Sequence, residues 1–222
     1  GYLTAVRTAA AGAAATRHLS RENAKSVAIL GAGEQGRLQL EAVTLVRGIT
    51  EAKYWSPHNN RASETAKQMQ EKLGIEVVST ANAQDAVRGA DIIITCTPST
   101  KPILLADWLE PGQHVTAMGS DAEHKNELDP KIIARAQNYV PDNLQQVARL
   151  GELHHAIRSG LVDEKAAFNE LGSVISGKSI GRKSPADITV ADLTGTGVQD
   201  TAIATFARKQ TLIDTTGLTI TT

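Results

Sequence analysis

The chain has 222 residues, of which 23 are basic and 24 are acidic, so that its formal net charge is -1 at neutral pH. A chain this close to neutral carries no basic field that would attract nucleic acid or an anionic membrane surface. Its longest apolar runs, such as DIIITCT, are too short to span a bilayer, and a single cysteine, Cys96, permits neither an internal disulfide nor a cysteine-based metal motif. This cysteine usage favours a reducing cytoplasm.

Short apolar runs alternate with segments of helical periodicity along the whole chain. The first helix is predicted over residues 4–19 with Thr4 as its N-cap, and Gly74 is expected to end the third helix. The predicted strands cover residues 26–30, 51–56, 75–80, 91–97, 113–120, 138–142 and 188–195. The other predicted helices cover residues 34–48, 60–74, 82–90, 129–137, 144–160 and 198–210, with further helix expected after Val162.

This alternation predicts an α/β fold in which a parallel sheet is covered by helices on both faces. The run over residues 91–97 is apolar throughout, which is typical of a strand that is buried on both faces. Residues 176–187 are rich in Gly, Ser and Lys, so we expect an exposed, mobile loop there.

The sequence GAGEQG follows the first predicted strand directly and opens a helix. The pattern G-x-G-x-x-G is weak alone, but this context makes it a dinucleotide fingerprint and indicates a Rossmann-type, doubly wound sheet. The first glycine would permit the tight turn, the second the approach of a pyrophosphate, and the third the packing of helix on strand. The residues assigned to cofactor binding here are Gly31, Ala32, Gly33, Glu34, Gln35 and Gly36. The alternative is a glycine-rich turn without a ligand.

The sequence leaves the choice between NAD and NADP open. NAD sites usually carry Asp or Glu at the end of the second strand to bind the ribose 2′-hydroxyl. Here Ser56 occupies that place and is followed by Pro57 and His58. No arginine follows the strand immediately to hold a 2′-phosphate, because Arg61 already opens the predicted helix.

Three polar turns are expected to meet at one edge of the sheet, because ligands of such sheets bind beyond the carboxyl ends of the strands. Asp121 follows the fifth predicted strand, TCTPSTKP ends the fourth, and DLTGTGVQD ends the last. Asp121 is therefore expected near the nicotinamide end of a dinucleotide, where a carboxylate can take part in proton transfer. The alternative is a turn aspartate that caps the next segment.

Arg7 is predicted in the first turn of its helix, where a cation opposes the helix dipole. That unfavourable placement is explained if Arg7 and the helix N-terminus bind an anion. A substrate carboxylate is such an anion, and arginine can hold it with two parallel hydrogen bonds. The alternative is a surface arginine.

The chain resembles the ornithine cyclodeaminase and mu-crystallin family in five stretches, which follow the family's order from Leu3 to Ala204. These stretches are LTAVRTAAAGA, LGAGEQG, ADIIITCTPSTKPIL, GQHVTAMGSDAEHKNELDP and DLTGTGVQDTAIA. The sequence GSDAEHKNEL resembles that of the members linked with ectoine use and iminosuccinate reduction more than that of true ornithine cyclodeaminases. True ornithine cyclodeaminases usually have Cys-Pro-Gly or a similar trio where this chain has Ala122, Glu123 and His124.

The resemblance implies NAD or NADP as the cofactor, Asp121 as the catalytic, proton-handling residue and Arg7 as the binder of the substrate carboxylate. The residues expected to contact the cofactor outside the glycine loop are Ser56, Thr97, Pro98, Ser99, Thr194 and Gly195. Lys125 and Glu127 match the sequence motif of the family and are expected to order their loop by ion pairing. No metal site is predicted, because no ligands with zinc-like spacing accompany the histidines.

The resemblance also implies an N-terminal substrate and dimerisation domain that is absent from this chain. Residues 1–212 are then expected to form the NAD(P)-binding domain, including the lead-in helix. Residues 213–222 are expected to form a tail that returns to the absent domain. The expected partners are a small amino or imino acid and a second copy of the chain, with neither nucleic acid nor membrane.

Three functions follow from this reading. The preferred one is an oxidoreductase that interconverts an α-amino acid and its α-imino acid by hydride transfer with NAD(P). The second is a cyclodeaminase that oxidises an amine, lets a side-chain amine displace ammonia and returns the hydride. The third is a crystallin-like protein that binds the cofactor and a small ligand without turnover.

Overall fold

The computed structural model describes residues 1–214, which form seven β-strands, nine α-helices and a 3₁₀ turn at Ala106–Trp108. The strands are β1 (Ser26–Leu30), β2 (Glu51–Trp55), β3 (Glu76–Ser79), β4 (Ile92–Thr95), β5 (His114–Ala117), β6 (Asn138–Pro141) and β7 (Thr189–Asp192). The helices are α1 (Tyr2–Leu19), α2 (Glu34–Thr44), α3 (Asn59–Leu73), α4 (Ala83–Val87), α5 (Lys131–Arg135), α6 (Leu144–Val147), α7 (Glu152–Arg158), α8 (Leu171–Ile175) and α9 (Gly197–Asp214). Each predicted strand is present in its expected place.

The seven strands form one parallel sheet in the order β3-β2-β1-β4-β5-β7-β6. The chain builds outward from β1 to β3 and then returns to add β4 on the other side of β1. The topological switch point therefore lies between β1 and β4, which is where sheets of this kind bind ligands. The predicted Rossmann-type, doubly wound architecture is confirmed.

Two apolar cores lie on the two faces of the sheet, and β1 contributes alternate residues to each. Val27 and Ile29 pack with α1, α2, α3 and α8, whereas Ala28 and Leu30 pack with α4, α5, α6 and α7. A strand covered on both faces needs apolar residues at every position, which explains the unbroken apolar runs in the sequence. Within residues 1–214, no helix is both long enough and apolar enough to cross a membrane.

Helix α1 begins at Tyr2, so the prediction of Thr4 as its N-cap was wrong. The backbone N–H of Ala5 donates to the carbonyl oxygen of Gly1 at 3.2 Å, and this bond places the helix start three residues earlier. Arg7 consequently lies in the second turn of the helix. Because the dipole effect falls off within the first turn, the unfavourable placement predicted for Arg7 does not exist.

Side chains from α2 and from the segment after it tie α1 to the domain along its length. The amides of Gln35 and Gln39 donate to the carbonyl oxygens of Ala5 and Thr8, both at 3.2 Å. At the far end, the guanidinium of Arg47 donates to six groups. Among these are the carbonyl oxygens of Arg17 and Arg21 and the hydroxyl of Ser20.

Two predicted helical regions have a different form. Residues 144–160 are split into α6 and α7 at Gly151, where a Cβ atom would lie 2.8 Å from Oδ2 of Asp192. The chain lies so close to β7 at this point that only glycine fits, and the helix is interrupted there. Helix α7 ends before Gly160, which has a φ of +71°, and the chain is irregular from Val162 to the start of α8.

The loop predicted at residues 176–187 is anchored rather than free. The guanidinium of Arg182 donates to the carbonyl oxygens of Leu19 at 2.8 Å and Gln113 at 3.2 Å. At the end of the described chain, α9 continues to Asp214, four residues beyond the predicted end. The predicted tail over residues 213–222 therefore begins inside α9, and its remainder lies outside the described residues.

Candidate active site

The glycine turn between β1 and α2 is fixed by close packing at two of its three glycines. Gly31 has a φ of +132°, and a Cβ atom there would lie 2.8 Å from the carbonyl oxygen of Cys96. A Cβ atom at Gly36 would lie 2.0 Å from the carbonyl oxygen of Gly31. Any side chain at Gly36 would force α2 away from β1, so the predicted role of this glycine in helix–strand packing agrees with the geometry.

Gly33 differs from its two neighbours in the motif, because neither packing nor backbone conformation requires glycine there. Its φ of -87° is open to any residue, and a Cβ atom would meet nothing within 4 Å. Gly33 is the N-cap of α2, and no side chain caps that helix end. Open space in front of uncapped N–H groups at a helix start fits an anionic group such as a pyrophosphate.

A cavity of about 310 Å³ opens beside this turn. Its walls are Gly31, Ala32, Gly33, Trp55, Ser56, Pro57, His58, Arg61, Cys96, Thr97, Pro98, Ser99 and Ile103. The cavity thus brings together seven of the residues predicted to bind the cofactor, from the turns after β1, β2 and β4. Larger clefts of about 600 Å³ and 550 Å³ border neither this turn nor the carboxyl edge of the sheet.

Five predicted cofactor residues do not line the cavity, namely Thr194 and Gly195 in the turn after β7 and the three residues Glu34, Gln35 and Gly36. The last three form the first turn of α2, so their contribution to an anion site would come from backbone N–H groups. The side chain of Gln35 points to α1 instead, where it bonds to the carbonyl oxygen of Ala5.

The wall that follows β2 carries no acid. Ser56 is buried, and its hydroxyl accepts a hydrogen bond from the backbone N–H of His58 at 3.3 Å. His58 and Arg61 are exposed and face the same cavity. Within the described residues, no Asp or Glu side chain lines it, as the sequence indicated for this end of the site.

The turns after β4 and β5 are joined by the carboxylate of Glu127. Its Oε1 accepts hydrogen bonds from the backbone N–H of Thr97 at 2.6 Å and from Thr97 Oγ1 at 2.7 Å. Its Oε2 accepts one from the backbone N–H of Gly119 at 2.8 Å. Glu127 was expected to form an ion pair, and it forms these hydrogen bonds instead.

Asp121 lies two residues beyond Gly119 and has a side chain that is 55% exposed. Its Oδ1 pairs with Nζ of Lys125 at 2.5 Å, so the ion pairing expected of Lys125 is present. A carboxylate at this exposure can exchange protons with solvent water. Asp121 does not itself line the cavity beside the glycine turn.

Three further acids lie under the same edge and were not singled out from the sequence: Glu152 and Asp192 are buried, and Asp142 is half-buried. Burial raises the pKa of Glu152 well above its ordinary value, and it raises the pKa of Asp192 to about 7 and the pKa of Asp142 as well. The sequence does contain a signal for two of them, because Asp142 directly follows β6 and Asp192 is the last residue of β7.

These three acids hold the backbone of the edge by hydrogen bonds. Asp142 accepts from the backbone N–H of Gly195 at 2.7 Å, in the turn after β7 that was predicted to contact the cofactor. Asp192 accepts from the hydroxyl of Tyr139 at 2.6 Å. Thr194 bonds through its hydroxyl to Asp142 at 3.2 Å and accepts from Gln146 at 2.9 Å.

Arg7 lies against the turn after β7 and the start of α9. Its Nε donates to Oδ1 of Asp200 at 2.9 Å, and its Nη1 donates to Oε1 of Gln199 at 3.0 Å. A Cβ atom at Gly195 would lie 2.7 Å from Nη1 of Arg7, so the turn packs directly on the guanidinium. Arg7 and the predicted residues Thr194 and Gly195 are therefore neighbours.

The adjacent histidines of α7 act as packing residues. His154 and His155 meet edge to face, and Nε2 of His155 lies 2.7 Å from the carbonyl oxygen of Lys125. In the part of the chain that the structure describes, no three His, Cys, Asp or Glu side chains are placed to hold a metal ion.

A parallel sheet with a glycine turn at its switch point and polar turns along its carboxyl edge defines a Rossmann-type α/β domain. The model of the ornithine cyclodeaminase/mu-crystallin family matches residues 1–214, so the chain belongs to that family. An uncharacterized cyclodeaminase of Sinorhizobium fredii is 58% identical over 207 residues, which are 93% of this chain and 62% of that protein. The chain thus spans less than two thirds of the length of this curated relative.

Two solved structures have the same fold over nearly the whole chain. The Delta(1)-pyrroline-2-carboxylate reductase of Thermococcus litoralis, in complex with NADH and L-proline, is 30% identical with a TM-score of 0.95. An archaeal alanine dehydrogenase dimer with bound NAD is 35% identical with a TM-score of 0.93. Each similarity covers 99% of this chain and 68% of the other.

Proposed function

We propose that the protein is an oxidoreductase that interconverts an α-amino acid and its α-imino acid with NAD or NADP. The observation that carries this proposal is the open space at Gly33. It lies in front of an uncapped helix start and beside a cavity walled by Ser56 and the turn after β4. The pyrroline-carboxylate reductase and the alanine dehydrogenase, which bind NADH or NAD, support the choice of cofactor.

The residues of the cavity would bind the dinucleotide in a single orientation across the sheet edge. Its pyrophosphate would lie at residues 31–36, its adenosine ribose at Ser56 and its other ribose and ring at Thr97, Pro98 and Ser99. The strand order β2-β1-β4-β5 supports this direction, because the turns then meet the cofactor from one end to the other. The bound nicotinamide supplies the hydride chemistry.

Arg7 and Asp121 would act on the substrate. Within residues 1–214, Nη2 of Arg7 makes no hydrogen bond, so one face of the guanidinium remains for a substrate carboxylate. Thr194 and Gly195 would fix that guanidinium beside the ring. Asp121 would stabilise the iminium and pass protons between the substrate nitrogen and water, since its side chain is exposed.

The assembly and compartment are part of the same proposal. A homodimer is supported by the archaeal alanine dehydrogenase, which is a dimer. A reducing cytoplasm is supported by the single cysteine.

The second candidate function is a cyclodeaminase. It is favoured by the description of the Sinorhizobium relative, which is 58% identical, and the same residues would serve. The trio Ala122, Glu123 and His124 favours the oxidoreductase, because true ornithine cyclodeaminases usually differ there.

The test is a panel of amino acids, cyclic imines and keto acids with ammonia, run on the protein with NADH, NADPH and their oxidised forms. A change in the absorbance of the reduced nicotinamide that depends on an imine or amino acid supports the oxidoreductase. Ammonia release without a net change in absorbance supports the cyclodeaminase. Coenzyme binding without any turnover contradicts both and leaves a crystallin-like binding protein.

A further inference from the structure

The carboxylate of Glu127 is fully buried, and within residues 1–214 no Lys, Arg or His side chain pairs with it. Burial raises the pKa of Glu127, while the hydrogen bonds from Thr97 and Gly119 act to lower it. An apolar side chain of the same size would avoid this desolvation, but it would leave two backbone N–H groups unbonded. The carboxylate therefore has a task that packing alone cannot perform, which is to bond two turns at once.

The two turns that Glu127 joins are in direct contact. A Cβ atom at Gly119 would lie 2.2 Å from the carbonyl oxygen of Thr97 and 2.5 Å from Cδ of Glu127. No side chain fits between them, so a shift of one turn must move the other. The turns after β4 and β5 can lie this close because residue 119 is glycine, and the carboxylate of Glu127 holds them at that separation.

The segment that carries Glu127 is itself held from behind by α7. Oε1 of Glu152 accepts a hydrogen bond from the backbone N–H of Glu127 at 2.9 Å. Oε2 of Glu152 accepts from the backbone N–H of Leu128 at 3.1 Å and from the amide of Asn126 at 2.7 Å. The backbone position of Glu127 is therefore fixed by Glu152, and its side chain reaches the two turns from that position.

We propose that Glu127 is a positioning residue for the nicotinamide end of the site, an inference that rests on the proposed function. Its carboxylate fixes Thr97, which walls the cavity, relative to Gly119, which precedes Asp121 by two residues. The adenosine end of the dinucleotide lies beyond β2, three strands away from β5 in the sheet order. Glu127 therefore acts on the ring end of the cofactor and leaves the adenosine end unaffected.

The experiment compares the affinity of the protein for NADH and for ADP-ribose, which lacks the nicotinamide, before and after Glu127→Gln. Glutamine has the same size, but its NH₂ group cannot accept a hydrogen bond, so it cannot bond both turns. We expect the affinity for NADH to fall about tenfold while that for ADP-ribose stays within about twofold. The matched control is Glu123→Gln, an exposed residue of the same loop, which should leave both affinities unchanged.

Thr97→Val is the second variant and decides the question if Glu127→Gln does not fold. It keeps the backbone N–H bond to Glu127 and removes the hydroxyl, which donates to Glu127 and accepts from the backbone N–H of Ser99 in the same turn. It should give a smaller loss that is again confined to NADH. An equal loss for both ligands, or no loss for NADH in a folded variant, overturns the inference alone. If the unaltered protein binds neither ligand, the proposed function fails as well.

Discussion

The two ends of the candidate site are held by different interactions. The glycine end consists of residues 31–36 with Ser56, and it depends on close packing of backbone on backbone. A Cβ atom at Gly36 would lie only 2.0 Å from the carbonyl oxygen of Gly31. The acidic end, formed by the turns after β4, β5 and β7, is held by buried and half-buried carboxylates. Glu127, Asp142 and Asp192 each bond to groups at least eight residues away in sequence. A short motif can specify the first end, whereas the second depends on the complete fold.

If the acidic end carries the chemistry, Asp121→Asn should have the largest effect on turnover. We expect kcat to fall about 10²- to 10⁴-fold, the usual contribution of a positioned proton-transfer group, while the affinity for NADH is kept. Steady-state kinetics and equilibrium binding measure the two quantities. Glu123→Gln serves as the control in the same loop, and an unchanged kcat for Asp121→Asn would assign this residue to the turn alone.

Two matched substitutions at the glycine end separate the roles of its glycines in stability and in coenzyme binding. Gly36→Ala should lower the free energy of unfolding by about 3 kcal/mol, because the added methyl overlaps the carbonyl oxygen of Gly31. Gly33→Ala should leave that free energy within about 0.5 kcal/mol, since its methyl meets nothing, yet it should weaken NADH binding. Urea denaturation and coenzyme titration separate the two effects. Equal losses of stability would contradict the difference between these positions.

The buried acids should make stability depend on pH in an unusual direction. Burial raises the pKa of Asp192 to about 7, so the folded state keeps a proton that the unfolded state has lost above about pH 4. The contribution of Asp192 is therefore fully present below about pH 4 and is lost as the pH rises towards 7.

Asp192→Asn tests this pH dependence, because the amide still accepts from Tyr139 but cannot ionise. The variant should reduce the loss of stability between pH 5 and pH 7 by about 2 kcal/mol in urea denaturation. A slope unchanged by the substitution would mean that Asp192 ionises as easily in the folded state as in the unfolded one.

The smallest expected effect concerns coenzyme choice at the glycine end. Ser56→Asp introduces a carboxylate that can bond the ribose 2′-hydroxyl of NADH and repel the 2′-phosphate of NADPH. We expect the ratio of the two affinities to shift about tenfold towards NADH, as measured by coenzyme fluorescence. Ser79→Asp places the same charge at the carboxyl end of β3 and should leave the ratio unchanged. A shift towards NADPH would place the adenosine ribose elsewhere.

The sequence was sufficient for the sheet and for the glycine end because both depend on local patterns. Short runs of strand-forming residues between helical segments located every strand, and glycine spacing located the turn at the switch point. Arg7 was assigned to the wrong turn of α1, because nothing in the local pattern indicates that Gly1 begins the helix. Glu127 was expected in an ion pair, because its true partners are backbone groups 8 and 30 residues away, which no spacing rule identifies.

The attachment of α1 has a mechanical consequence for the placement of Arg7. This 18-residue helix is about 27 Å long and carries Arg7 near one end, while Arg47 binds the carbonyl oxygens at the other. A straight helix bound at both ends tilts as a unit, so a small displacement at Arg47 changes the angle at which Arg7 presents its guanidinium. If Arg7 binds the substrate carboxylate as proposed, substitutions at Arg47 would alter that binding without touching the substrate.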